Sequence, residues 1–209
     1  MRIEASAGHF GSEAARKHAA HLGMWLFLGT EVLLFAALLA AYAVYRFTYP
    51  AVFAEAHRHM ALGLGTLNTY LLVLASVLVA LSIWALRNER KALSTLLLVG
   101  AICLGFGFLG VKGLEYSQHV REGALPGAWY RLAAFDRPGA GIYFTLYWLL
   151  TGLHAVHVTI GVGVLSVMAA RVHSGELDAR YHTPLELGGM YWHLVDIVWL
   201  FLWPMLYLA

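Results

Sequence analysis

The chain has 209 residues, 60% of them hydrophobic and 12% charged, with a formal net charge of +2. A soluble domain carries about 25% charged residues, so this composition suits lipid rather than water as the main solvent. No run of Lys and Arg beyond Arg16-Lys17 and Arg90-Lys91 supplies a nucleic-acid footprint, and the single cysteine, Cys103, excludes an internal disulfide and a C-x-x-C pair.

Residues 1–20 mix Glu4, His9, Glu13, Arg16 and Lys17 with no apolar stretch, which excludes a signal peptide and predicts a polar tail. Residues 21–209 read as one all-α domain of five transmembrane helices, because a helix needs about 20 apolar residues to cross the hydrocarbon core. The first span, residues 22–45, holds one charge, Glu31. The second, residues 67–86, holds none and opens on Asn68 and Thr69, placed to cap the helix or to bond a neighbour. The third, residues 93–117, is uncharged until Lys112 and Glu115; the fourth, residues 141–170, carries His154 and His157; the fifth, residues 187–208, carries His193 and Asp196. Barrel strands would alternate polar and apolar residues over about ten positions. These runs are apolar on all sides, and helices close their own hydrogen bonds in lipid.

The connections are polar: residues 46–66 with Pro50 and His57, a tight turn at 87–91, residues 118–139 with Pro126 and Pro138, and residues 171–186 with Pro184. Arg2, Arg16, Lys17, Arg87, Arg90, Lys91, Arg171 and Arg180 fall on one side; Arg46, Arg58, Arg121, Arg131 and Arg137 fall on the other. The excess predicts an N-terminus inside and a C-terminus outside.

Ionisable residues at mid-membrane cost at least about 2.5–3.5 kcal/mol, so each must face the bundle, find a partner or take up a proton. Glu31 lies roughly 15 Å along its helix at 1.5 Å per residue, near the midplane. It is either a group on a proton path or a protonated carboxyl that fixes helix packing. His154 and His157 share a helix face at i,i+3, as do His193 and Asp196. Three readings stand for them: an interhelical hydrogen-bond cluster, a proton relay, or ligands to a metal or a b-type haem. Lys112 and Glu115, also at i,i+3, either pair or let Lys112 snorkel to the headgroups. Trp192, Trp199 and Trp203 suit belt and packing positions. His18, His21, His57, His59, His119, His173 and His182 fall outside the spans and are expected to be solvated or interfacial. There is no Gly-x-Ser-x-Gly elbow and no phosphate-binding glycine loop.

Five ordered signatures over residues 18–208 nevertheless form one pattern. They are His21-Leu-Gly-Met-Trp-Leu-Phe-Leu-Gly-Thr-Glu31-Val; Leu67-Asn68-Thr69 with Leu71-Leu72 and Ala75-Ser76; Phe108 to Lys112 with Glu115-Tyr116 and His119; Thr151-Gly-Leu-His154-Ala-Val-His157-Val with Gly161; and Tyr191-Trp-His193-Leu-Val-Asp196-Ile-Val-Trp199-Leu-Phe201. The pattern resembles subunit III of the haem–copper respiratory oxidases, one signature per helix. The resemblance implies an accessory subunit with no catalytic centre or cofactor of its own, beside a subunit I that holds haem and copper, with subunit II and further subunits in the complex. It implies support of proton uptake and of enzyme lifetime, and bound phospholipid. It places Glu31 as the membrane-buried carboxyl, and His154, His157, His193 and Asp196 as polar positions between helices rather than metal ligands. Longer family members have two further helices at the N-terminus. The five-helix form is similar to subunit III of bacterial quinol oxidases and to accessory proteins of nitric oxide reductases. The electron donor, cytochrome c or quinol, stays open; the expected location is the bacterial inner membrane rather than the mitochondrial one.

Overall fold

The computed structural model describes residues 13–132 and 135–208. It contains six α-helices and, among the described residues, no strand. They are α1 (Glu13–Thr48), α2 (Pro50–Ala56), α3 (Leu62–Arg87), α4 (Lys91–Glu122), α5 (Ala140–His173) and α6 (Thr183–Tyr207). All but α2 are long and apolar enough to cross a bilayer. Each long helix outruns the apolar window that marks its span. In α1, residues 13–20 of the expected tail are helical, and the rest of that tail lies outside the described residues. The segment Glu13-Ala-Ala-Arg-Lys-His-Ala-Ala is polar, yet its Ala, Glu, Arg and Lys are strong helix formers. In the connection after α1, Pro50 sits in the first turn of α2, where its missing N–H costs nothing. Gly123 closes α4 in a left-handed conformation, φ +80°, the usual glycine cap.

Helices α3, α4, α5 and α6 close a ring: each packs on the next, and α6 returns to α3. The short α3–α4 turn, whose Glu89 adopts φ +61°, makes these two the most intimate pair. Helix α1 lies outside the ring against α5 and α6, and its Leu22, Trp25, Leu33 and Phe47 face outward. Exposed apolar side chains suit lipid contact, where association rests on packing and hydrogen bonds instead of a hydrophobic drive. Trp192 shows how tightly the ring closes. A Cβ at Gly105 would lie 3.0 Å from its ring, and one at Gly161 would lie 2.9 Å from it. Two bare backbones on α4 and α5 thus admit the largest side chain of α6. Trp192 and Trp199 are fully buried, so they belong to the core rather than to an interfacial belt.

Candidate functional site

The polar residues singled out in the spans form three separate groups instead of one histidine cluster. The first joins α1 to α5. Glu31 Oε2 lies 2.8 Å from His157 Nε2, and His157 Nδ1 lies 2.8 Å from the Leu153 carbonyl oxygen. A carbonyl only accepts, so Nδ1 carries a proton. A contact of 2.8 Å between Nε2 and a carboxyl oxygen needs one further proton between them. The pair therefore holds one proton, as a neutral acid with a neutral imidazole or as carboxylate with imidazolium. Phe35 sets its ring edge-on to His157, 5.2 Å away, and Tyr191 donates to the His157 carbonyl oxygen at 3.2 Å. Both partners keep a small exposed fraction, 15% for Glu31 and 11% for His157, so the proton sits at the edge of the bundle.

The second group joins α3 to α6. His193 Nδ1 is 2.6 Å from Ser76 Oγ, and Asp196, one turn further along α6, keeps its buried Oδ1 without a partner. His193 also lines an open, mostly apolar groove of about 800 Å³ between α1 and α6, with Trp25, Leu28, Val32, Met190 and Ile197.

The third group is the best closed. Lys112 is 2% exposed, and its ammonium donates to Glu115 Oε2 at 3.0 Å, to Tyr147 at 3.2 Å and to Tyr207 at 2.7 Å. Both hydroxyls in turn donate to Glu115 Oε1, Tyr147 at 2.7 Å and Tyr207 at 2.5 Å. Three N–H donors thus meet three acceptors, and the carboxylate receives on both oxygens. The rings of Tyr116, Tyr147, Trp199 and Tyr207 surround the ammonium at 4.9–5.4 Å, within cation–π range. Lys112 does not snorkel: its chain points into the ring, where α5 and α6 supply the hydroxyls. The network pins α4, α5 and α6 together near one membrane face.

The remaining expected residues fall elsewhere. His154 is fully buried between Phe108, at 5.5 Å, and Trp199, at 5.1 Å, with both ring nitrogens unpaired. Asn68 is also fully buried with both amide atoms unpaired. It is not a cap, because α3 begins at Leu62, nearly two turns earlier. Thr69 does bond a neighbour, accepting the Trp199 indole N–H at 3.0 Å. Of the histidines expected to be solvated or interfacial, His57 is half-buried and His119 is buried. His57 places Nδ1 3.0 Å from the Leu206 carbonyl oxygen, and burial lowers its pKa below the usual histidine value, with the Arg46 charge adding to the effect. His119 is 3% exposed: α4 runs to Glu122, so the ring remains within the bundle. The i,i+4 spacing from Glu115 was the signal for it. Among the described residues, no three His, Cys, Asp or Glu side chains gather as a metal site.

Comparison with known proteins adds the chain's relationships. The sequence profile described as "Cytochrome c oxidase subunit III" matches residues 3–209. A "Probable quinol oxidase subunit 3" of Staphylococcus haemolyticus is 27% identical over 90% of this chain and 87% of its own length. The "Quinol oxidase subunit 3" of Bacillus spizizenii is 26% identical over 90% of this chain and 85% of its own. A "Heme-copper oxidase subunit I+III" of Aeropyrum pernix is 28% identical over 89% of this chain, which spans 22% of that longer protein.

Proposed function

The chain belongs to the cytochrome c oxidase subunit III family, the accessory subunits of haem–copper oxidases, and on that premise we propose that it supports proton uptake in a quinol-oxidising member of a bacterial plasma membrane. The quinol assignment draws on the Staphylococcus and Bacillus relatives, whose lengths this chain nearly spans. Haem and copper then belong to partner subunits, with subunit I in direct contact and subunit II in the same complex. The Aeropyrum relative, which carries I and III in one chain, supports that closeness. The charge bias of the connections supports an N-terminus inside. The groove between α1 and α6 suits a phospholipid acyl chain.

The observation that carries the proton role is the 2.8 Å contact between the Glu31 carboxyl and His157 Nε2 halfway along α1. His154, His157, His193 and Asp196 act in helix packing on this reading. Each histidine engages its own neighbour: His157 takes Glu31, His193 takes Ser76, and the His154 ring lies tilted against Trp199 at 5.1 Å.

The test begins with the complex captured from native membranes through a tag on this chain. Its redox difference spectrum should show haem that the isolated chain lacks. Turnover with quinol, and not with cytochrome c or nitric oxide, identifies the parent enzyme. Glu31→Gln keeps a donor facing His157 Nε2 but removes the exchangeable proton. The complex should assemble with its haem spectrum intact, take up protons more slowly and inactivate sooner. Normal pumping and lifetime in that variant would end the proton assignment.

A further inference from the structure

Among the described residues, His119 is the one buried ring with a carboxylate facing each of its two nitrogens. Nε2 lies 3.9 Å from Glu115 Oε1, and Nδ1 lies 4.0 Å from Glu122 Oε2. Both nitrogens are buried and neither has a hydrogen-bond partner. Glu115 is wholly buried, whereas the Glu122 side chain is 56% exposed. The ring is clamped by aromatic edges from α5, Phe144 at 6.0 Å and Tyr147 at 5.1 Å. It stands one turn from Gly123, where α4 stops and the connection to α5 begins.

We propose that His119 is a proton-binding site reached from the membrane face that carries the α4–α5 connection, and that its loaded form bridges Glu115 and Glu122. A neutral imidazole has one N–H and can satisfy one carboxylate at most. The imidazolium has two, and two acceptors already face it from opposite sides. Charge-assisted bonds close to about 2.8 Å, so loading shortens the gaps of 3.9 and 4.0 Å by roughly an ångström each, through movement of the ring and of Glu122. The proton enters at Glu122, the only member of the chain of groups that meets water, and passes no further than Nε2: Glu115 is already committed to Tyr147, Tyr207 and Lys112.

Tyr147 on α5 stands 5.1 Å from the ring, and Lys112 and Tyr207 reach it through Glu115; Arg121, two residues on, is exposed, and further out lie Tyr143 and His57, 5.8 Å apart, under the Arg46 charge. Lys112 opposes loading, but its charge is engaged by Glu115 at 3.0 Å. Two carboxylates therefore face His119 against one neutralised ammonium. The consequence is mechanical. Ala124 N–H donates to the His119 carbonyl oxygen at 2.9 Å, and Arg131 N–H donates to the Gly123 carbonyl oxygen at 2.8 Å. A tightened His119 thus steadies the first turn of the connection. Protons accumulating at this face would stiffen it.

The experiment uses the intact complex in lipid nanodiscs with 15N-labelled histidine, taking the spectrum that His119→Gln removes. At pH 8.5 the ring should show one protonated nitrogen, and at pH 6 two. Glu122→Gln should reduce the doubly protonated share at pH 6 at least threefold, whereas Glu89→Gln, on the opposite face, should leave it unchanged. Amide exchange over residues 119–124, corrected for the intrinsic effect of pH, gives a second reading that needs no His119 variant. Protection should rise several-fold from pH 8.5 to pH 6 in the parent and stay flat in Glu122→Gln. A ring that keeps one proton down to pH 5, or loading and protection indifferent to Glu122→Gln, would overturn the proposal.

Discussion

Replacing Lys112 with Met tests the closed network at its centre. The unbranched thioether fills nearly the same path through the core. Glu115, whose side chain is fully buried, keeps two tyrosine hydroxyls on Oε1 but loses the ammonium on Oε2 and the only charge opposing it in the network. Breaking a buried ion pair by removing one partner costs about 3–5 kcal/mol, or roughly two to three and a half decades in the unfolding constant at 1.4 kcal/mol per decade. Adding Glu115→Gln removes the stranded charge while keeping an acceptor for Tyr147 and Tyr207, so the double variant should regain about 2 kcal/mol or more. The assay is unfolding by SDS in mixed micelles, followed through tryptophan fluorescence. Trp199, 5.2 Å from the ammonium, reports directly on the site. A double variant no more stable than Lys112→Met alone would mean that Glu115 is not left as an unpaired buried charge, and the account of the network would fail.

Gly161→Ala and Gly105→Ala should each destabilise by about 1–3 kcal/mol in the same assay, because the added methyl meets Trp192 at 2.9–3.0 Å, while Gly110→Ala, with open space around it, should be neutral or better. Tyr42→Phe removes a 2.7 Å bond to the Met205 carbonyl oxygen and should cost about 0.5–1.5 kcal/mol. His57 gives a pH effect with a defined sign. Its pKa is lowered in the fold, so the unfolded chain binds that proton more readily. Stability is complete above the unfolded value of about 6.5 and is lost as pH falls through it. Melting temperatures of the complex at pH 8 and pH 5.5 should show the loss, and His57→Gln should flatten it; a gain on acidification that depends on His57 would refute the assignment.

The five crossings were legible because lipid imposes a length and a polarity that few other environments share. The helix ends were not. Hydropathy falls where headgroups begin, whereas the helix continues as long as Ala, Glu, Lys and Arg sustain it, as in α1 from Glu13. That difference concealed His119: ending the third span at residue 117 assigned the ring to solvent. Glu31 and His157 were both marked as costly groups, but nothing in a single sequence pairs residues 126 positions apart. Lys112 and Glu115 were paired in the sequence because their contact is local. The two tyrosines that complete the network come from α5 and α6, so they escaped notice.

That mixture of local and distant partners also bears on how the chain enters the bilayer. Lys112 and Glu115 are three residues apart, so α4 can cross as a helix that carries its own counter-charge before any neighbour arrives. Tyr147 emerges next and gives each of the two one bond; Tyr207, on α6, supplies the last. Until α6 is in place, the hydrogen-bond capacity of the pair is unfilled, and α4 and α5 are joined by Tyr147 and by the Tyr116–Thr151 bond alone among these hydroxyls. The order of synthesis is thus the order in which the network closes, and the final helix locks the two before it.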